Sequence, residues 1–338
     1  MPSENNVELP TSAVLQDRAN QVYAAMAMLA GMQLDVFTQL KDGPLEVSSV
    51  ARNLGVEPSK LFRLLYTLVA AELLEVEDGL FRNSATADHL LVQGKPTYVG
   101  GLHELYSDFW SATLKTADTI RTGVPQAKHD FENMSDEEVG AFLRGLHSGA
   151  LAAGRILGRE LQLAGSLLDV GGGSGGLAMG ACEAVPELVA TVAELPQIAL
   201  TTTKFLTDAG VIDRIDVAPI NLVTTEINGS YDVAILRNLL QTMSADDARR
   251  LIQNVGKAID SGGKVHVIGW MLEDSRLSPA AALNFDIVFL NIYDDGAAYT
   301  IGEQQRWLEA AGFSQFEYGP IPAGTGPSGA MLISATKD

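Results

Sequence analysis

Apolar residues recur along this chain in two rhythms, and the change from one to the other divides it. Over residues 12–40, Leu15, Ala19, Val22, Met26, Leu29 and Met32 fall at helix spacing with no proline among them, which predicts one long helix. The stretch from Pro44 to Ala51 opens a second helix that stops near Gly55. Glu57-Pro58-Ser59 starts a third through Leu61, Leu64, Leu65, Leu68 and Val69, with Pro58 suited to a first helical turn. Leu73–Val76 and Leu80–Phe81 flank Asp78-Gly79, a pair that predicts a tight hairpin. Two helices followed by a hairpin form a winged-helix pattern. Residues 100–160 read as helical and carry the aromatic cluster Tyr106, Phe109 and Trp110 and the segment Phe142–Ser148. From Gly165 onward strand and helix patterns alternate, predicting an α/β doubly wound sheet.

The first strand of that region runs into glycine: Leu167-Leu168-Asp169-Val170-Gly171-Gly172-Gly173-Ser174-Gly175-Gly176. The glycines allow a sharp turn and close approach of backbone to a ligand, and small apolar residues from Leu177 suit a helix packed on a sheet. A second strand, Val189–Ala193, ends at Glu194, about where a βαβ nucleotide site places its ribose-binding acid. Gly171, Gly173 and Gly176 also fit the dinucleotide fingerprint, so a nicotinamide cofactor and S-adenosylmethionine both remain open. Asp169 favours the second, because a carboxylate before the glycines opposes a pyrophosphate but can help hold a sulfonium or ammonium. Further on come a helix around Ala199–Ala209, strands at Ile215–Ala218 and Tyr231–Leu236, a helix over Ala245–Ile259, a turn at Asp260–Gly263 and a strand over Lys264–Ile268. Ligands in such sheets sit beyond the C-terminal strand ends, so Asp169, Glu194, Asn221 and Arg237 are expected to converge.

Composition narrows the function classes. Of 338 residues, 46% are hydrophobic and 19% charged, the balance of a folded chain long enough for two domains with their own cores. The formal net charge of −19 argues against a nucleic-acid surface, since phosphate binding relies on Lys and Arg. Within the winged-helix pattern the second helix carries only Lys60 and Arg63, while the wing carries Glu72, Glu75, Glu77 and Asp78, the wrong sign for a groove reader. That module is instead expected to pack against its copy in a homodimer. Cys182 is the single cysteine and cannot form an internal disulfide. The five histidines (89, 103, 129, 147 and 266) show no metal-ligand spacing, so no metal is expected. The opening Met-Pro-Ser-Glu-Asn-Asn has no basic-then-apolar leader, and no charge-free apolar run of roughly 18 residues occurs; a cytoplasmic chain without a membrane segment is expected.

Four markers form a set: Leu168–Gly175, Glu194-Leu195-Pro196, Ser261-Gly262-Gly263 and Trp307–Phe313. With them the chain resembles, from about residue 13 to its C-terminus, the small-molecule O-methyltransferases that carry an N-terminal winged-helix dimerisation domain, such as plant phenolic and bacterial polyketide or phenazine enzymes. The resemblance implies an α/β, Rossmann-like class I methyltransferase sheet with a mostly helical N-terminal domain. Residues 1–100 would form the dimerisation domain, 101–160 a helical connector contributing to the substrate pocket, and 161–338 the catalytic domain. It implies S-adenosyl-L-methionine as cofactor and a small-molecule methyl acceptor. Asp169, Gly171 and Gly173 would line the methionyl end, Glu194 would hold the ribose hydroxyls, Asn221 and Arg237 would lie near the adenine, and Ser148 would reach the methionyl carboxylate. Leu195 and Leu222 complete the cofactor-binding set.

One stretch departs from that family. After the fourth strand of the domain the family usually reads Leu-Lys-His-x-Leu-His-Asp-Trp, and its second His removes the hydroxyl proton as the methyl moves. Here Leu236–Met243 reads Leu-Arg-Asn-Leu-Leu-Gln-Thr-Met, with Gln241 in the base position. An amide does not accept a proton near neutral pH, and general-base help is worth a factor of about 10² to 10⁴. Either another residue supplies the base, or methyl transfer is lost, or the nucleophile has no proton to lose. A thioether meets the third condition, needing only alignment, desolvation and tolerance of positive charge. With Gly101–Trp110 and the acidic composition, the stretch resembles the marine methylthiohydroxybutyrate S-methyltransferases of dimethylsulfoniopropionate synthesis, a branch of the same family. The expectation is S-methylation of 4-methylthio-2-hydroxybutyrate, with Tyr106, His147 and Gln241 as the catalytic set. His103, Arg144 and His147 would bind the substrate carboxylate, and Tyr106, Trp110, Trp270, Tyr293 and Tyr299 would offer aromatic faces to the new cation. The alternative is O- or C-methylation of an aromatic natural product, with His147 or another residue as base.

Overall fold

Asp35 ends the first helix earlier than its apolar rhythm does. Its backbone lies in the left-handed region (φ 56°), a conformation that Asp tolerates better than most residues. The expected helix over 12–40 is therefore two, α1 (Ala13–Gln33) and α2 (Val36–Gln39), with Thr38 Oγ1 donating to Asp35 Oδ1 at 2.5 Å. In this computed structural model residues 11–131 and 133–338 are described, and they form two units that part between His103 and Glu104. The leader expectation, drawn from the first six residues, falls outside the described residues.

The first unit continues with β1 (Leu45–Glu46), α3 (Val47–Leu54), α4 (Pro58–Ala70), β2 (Leu74–Glu77), β3 (Leu80–Asn83) and α5 (Ala85–Leu90). Pro58 stands at the start of α4, where its missing N–H costs nothing, and Gly55 closes α3 in the left-handed conformation. Asp78 and Gly79 both have positive φ, as a hairpin turn between right-twisted strands requires. The pattern predicts two strands; β1 adds a third, pairing Leu45 with Phe81 to give the order β1-β3-β2.

The second unit opens with α6 (Leu102–Thr113), α7 (Thr116–Thr122) and α8 (Asp136–Glu160). It then alternates β4 (Ser166–Val170), α9 (Gly176–Ala184), β5 (Val189–Glu194), α10 (Pro196–Asp208), β6 (Ile215–Pro219), β7 (Tyr231–Arg237), α11 (Ala245–Ala258) and β8 (Ile259–Gly269). It ends with α12 (Ala280–Ile292), α13 (Ile301–Ala310), β9 (Phe313–Pro320) and β10 (Met331–Lys337). The seven-stranded sheet runs β6-β5-β4-β7-β8-β10-β9, parallel through β8, with β10 antiparallel to both neighbours. This is a Rossmann-like doubly wound sheet. Its two-residue periodicity sorts the core: Leu168, Val170, Ala234 and Leu236 pack toward α11 and α13, while Leu167, Val233 and Ile235 pack toward α8 and α9. The turn expected at Asp260–Gly263 is taken up within β8. There the pairing with β7 shifts register after Tyr231, and Gly262 adopts φ +81°.

Helices α8 and α9 approach unusually closely. A Cβ on Gly154 would stand 2.1 Å from the Leu177 carbonyl oxygen, and one on Gly180 would stand 2.2 Å from that of Leu151. The contact seats α9, whose N-terminus receives the glycine loop.

Candidate active site

At the C-terminal ends of β4, β5 and β7 lies a cavity of about 490 Å³. The glycine loop forms one part of its lining. Gly171 and Gly173 have φ values of +64° and +56°, and a Cβ on Gly172 would collide with the Asp169 carboxylate at 2.6 Å. Glu194, at the end of β5, fastens the loop: Gly173 N–H donates to Oε2 (2.9 Å) and Leu195 N–H donates to Oε1 (2.8 Å). Thr202 of α10 donates to the Gly173 carbonyl at 2.6 Å. Behind the loop, His147 Nδ1 lies 2.9 Å from Ser174 Oγ, and its ring stacks on Phe205.

Charge is concentrated where water is scarce. Asp169 is 2% exposed, and burial pushes its carboxyl up to about 7; the Ala178 backbone donor and Arg237 pull it down, and Glu194 pushes it further up. Burial also raises Glu194, against the two backbone N–H bonds that favour its ionised form. Arg237 is lowered by burial and raised by Asp169; it donates to the Thr325 carbonyl at 3.0 Å, and its Nε has no partner among the described residues. Asp169 Oδ2 and Ser148 Oγ are likewise buried without one. Buried polar atoms are normally satisfied, so a carboxylate oxygen and a guanidinium nitrogen left open on two residues of the cavity lining fit a polar, cationic nucleoside ligand. Burial lowers the pKa of His147, which favours its neutral ring.

Elsewhere the lining turns aromatic and titratable: His129, Phe131, Phe142, Tyr293, Asp294 and Asp295. Lys128 pairs with Asp294 at 2.6 Å and His129 Nε2 with Asp108 at 2.7 Å. Among the described residues no group of three or more His, Cys, Asp or Glu is arranged to hold a metal ion.

A family model for the O-methyltransferase domain matches residues 118–314, and one for the O-methyltransferase dimerisation domain matches residues 17–93. The chain belongs to the O-methyltransferase family. It is similar to 3-hydroxy-5-methyl-1-naphthoate 3-O-methyltransferase of Streptomyces sahachiroi, at 27% identity over 89% of each chain. It is also similar to the tetracenomycin polyketide synthesis 8-O-methyltransferase of Streptomyces glaucescens, at 30% identity over 86% of this chain and 88% of that one. Its fold matches human N-acetylserotonin methyltransferase in complex with S-adenosylmethionine, with a TM-score of 0.79 at 22% identity over 100% and 99% of the two chains. The protein is an S-adenosylmethionine-dependent methyltransferase.

In this methyltransferase Asp169, Gly171, Gly173, Glu194, Leu195, Asn221, Leu222 and Arg237 all line the one cavity, and so does Tyr293. Asn221 Oδ1 also accepts from Val223 N–H at 2.9 Å, which holds the loop after β6. Ser148 stands on α8, outside the lining.

The other expected substrate contacts are not brought to the cavity. Trp270 stacks on Phe285 at 4.7 Å within an apolar cluster, and Tyr299 donates its hydroxyl to the Met243 carbonyl at 2.6 Å while packing edge-on against Trp307; both are core residues. Tyr106 and Trp110 stack on each other at 5.6 Å along α6, one helical turn apart, and neither reaches the lining. Arg144 is on the exposed side of α8, and His103 stands in the first turn of α6. His147 is hydrogen-bonded to Ser174 of the glycine loop and is absent from the lining. Gln241 is 6% exposed, in a 3-10 turn over Leu240–Thr242, and it too is absent from the lining.

Sequence reasoning missed His129, Phe131, Asp294 and Asp295. They lie in irregular segments between helices, where no periodicity orients a side chain.

Proposed function

We propose that this enzyme methylates a hydroxyl of an aromatic natural product. The observation that carries the reading is the continuity of the cavity, which joins the glycine loop to a lining of Phe131, Phe142 and Tyr293. Aromatic rings of an acceptor pack well against such faces, and the names of both curated relatives specify hydroxyl methylation, of a naphthoate and of a tetracenomycin polyketide.

On this reading Gly171 and Gly173 admit the methionyl chain, Glu194 receives the ribose hydroxyls through its remaining lone pairs, and Asn221, Leu222 and Arg237 border the adenine. Asp169, whose Oδ2 is left unpartnered, serves the donor's cationic end. When bound, S-adenosylmethionine supplies an electrophilic methyl carbon and a good leaving sulfur. The protein's part is to align the acceptor with that carbon and to exclude water from the space between. The N-terminal domain pairs two copies into a homodimer.

A second reading keeps the thioether acceptor. Gln241 in place of the family's base favours it, since S-methylation of 4-methylthio-2-hydroxybutyrate releases no proton. The test is steady-state transfer from S-adenosylmethionine to hydroxynaphthoates, polyketide phenols and 4-methylthio-2-hydroxybutyrate. Turnover of at least one hydroxyaromatic with a kcat/KM well above that of the thioether is expected; turnover of the thioether alone would overturn the proposal.

A further inference from the structure

If the acceptor is a hydroxyl, as proposed above, its proton must go to a group other than Gln241. We propose that His129, held by Asp108, is the general base of this methyltransferase.

The histidines sort themselves by location. His89 lies in the first unit and His103 at its end; His147 is bound to Ser174; His266 is buried in the sheet against Ser334. His129 alone among them lines the cavity. Its Nε2 lies 2.7 Å from Asp108 Oδ2, and in the neutral ring this contact places the proton on Nε2 and leaves Nδ1 as the acceptor. Nδ1 is buried and has no hydrogen-bond partner among the described residues. A buried ring nitrogen in that state calls for an explanation, and the hydroxyl of a bound acceptor supplies the missing donor. Backbone anchoring fixes the ring's origin, because His129 N–H donates to the Ile292 carbonyl of α12 at 2.9 Å.

The surroundings suit the step. Phe109, Phe131, Phe142 and Tyr293 collar the imidazole, with ring centroids 5.3 to 6.3 Å away. The acceptor's hydroxyl proton passes to Nδ1 as an oxygen electron pair forms the bond to the methyl carbon; the electron pair of the broken carbon–sulfur bond stays on sulfur. The resulting imidazolium is stabilised by the Asp108 carboxylate and by the aromatic faces. Asp108 is 45% exposed, so the proton leaves for water along that side. Among the cavity's carboxylates, Asp169 and Glu194 belong to the glycine-loop end, Asp294 is paired with Lys128, and Asp247 with Ser244 and Arg250; Asp295 is the competing candidate.

The test uses the full-length enzyme and hydroxynaphthoates graded in hydroxyl acidity by nitro substitution. His129→Gln should lower kcat/KM by about 10² to 10⁴ for the least acidic hydroxyl and only a few-fold for one already ionised at the assay pH. Imidazole added to His129→Ala should restore part of the rate, and S-adenosylhomocysteine affinity by calorimetry should stay within two-fold of wild type. Asp108→Asn, at a half-exposed position, should show the same acidity-graded loss in smaller measure. A loss equal for every acceptor, or an acidity-graded loss that follows Asp295→Asn instead, would overturn the assignment. Wild-type and His129→Gln enzymes that methylate phenols equally well overturn the base alone; a wild type that methylates no hydroxyl overturns the proposed function with it.

Discussion

A carboxyl at 2% exposure with a raised pKa near 7 is a destabilising element kept for a ligand, and Asp169 has that character. In the unfolded chain an Asp titrates near 3.9, so in the unliganded protein the folded state holds the proton more tightly. The contribution of this group to stability is fully present below about pH 4 and is lost as pH rises through about 7. Thermal melts without cofactor should therefore show Asp169→Asn gaining on wild type between pH 5 and pH 8. Binding runs the other way, because a proton on Asp169 competes with the donor's positive charge. S-adenosylmethionine affinity should weaken as pH falls below about 7 in wild type, and should be weaker but flat with pH in Asp169→Asn. His266 makes an opposite case: burial beside Ser334 depresses it to about 4, so its share of stability is lost as pH falls from about 6.5 toward 4, and a His266→Gln variant should melt with less acid sensitivity in that window. Asp169 and Glu194 were legible in the sequence because a parallel strand fixes where its last two residues point. His129 was not, since nothing in the pattern of residues 123–135 says which way a loop side chain turns.

Among the elements, the α8–α9 contact has the least tolerance. Gly154 and Gly180 have no room for a Cβ against backbone carbonyls that cannot move away without shifting a helix. Gly154→Ala should cost about 1–3 kcal/mol or more, read as a lowered Tm. It should also raise the KM for S-adenosylmethionine, because α9 carries the glycine loop at its N-terminus. An Ala at the half-buried Gly149, where a Cβ would meet nothing within 4 Å, should do neither. Most elements of the second unit were readable from alternation and glycine punctuation. The misplaced ones have local causes: Asp35 turns left-handed inside an apolar helical rhythm, Leu45–Glu46 is too short to show alternation, and Gly262 bulges within β8 where a turn was expected. Stacking along α6 explains why Tyr106 and Trp110 read as a site; at helix spacing they find each other.

For the whole molecule, the first unit exposes Leu15, Val22, Tyr23 and Met26 on α1 and Phe62 and Tyr66 on α4, large apolar side chains of the kind that dimer contacts cover. Replacing Leu15, Val22 and Met26 together with Glu should convert a dimer to monomers in sedimentation analysis, with little change in the melting of the second unit. Among the described residues no helix is long and apolar enough to cross a membrane. The family was legible in the glycine loop and its flanking acids, whereas the acceptor was not, because the cavity's aromatic lining comes from segments brought together only by the fold. On the proposed reading the methyl group goes to an aromatic hydroxyl. The most direct test is one reaction containing ¹³C-methyl S-adenosylmethionine, a hydroxynaphthoate and 4-methylthio-2-hydroxybutyrate in equal amounts, read by carbon NMR. Label appearing as an O-methyl ether is the predicted result, and label appearing on a dimethylsulfonio group instead would contradict it.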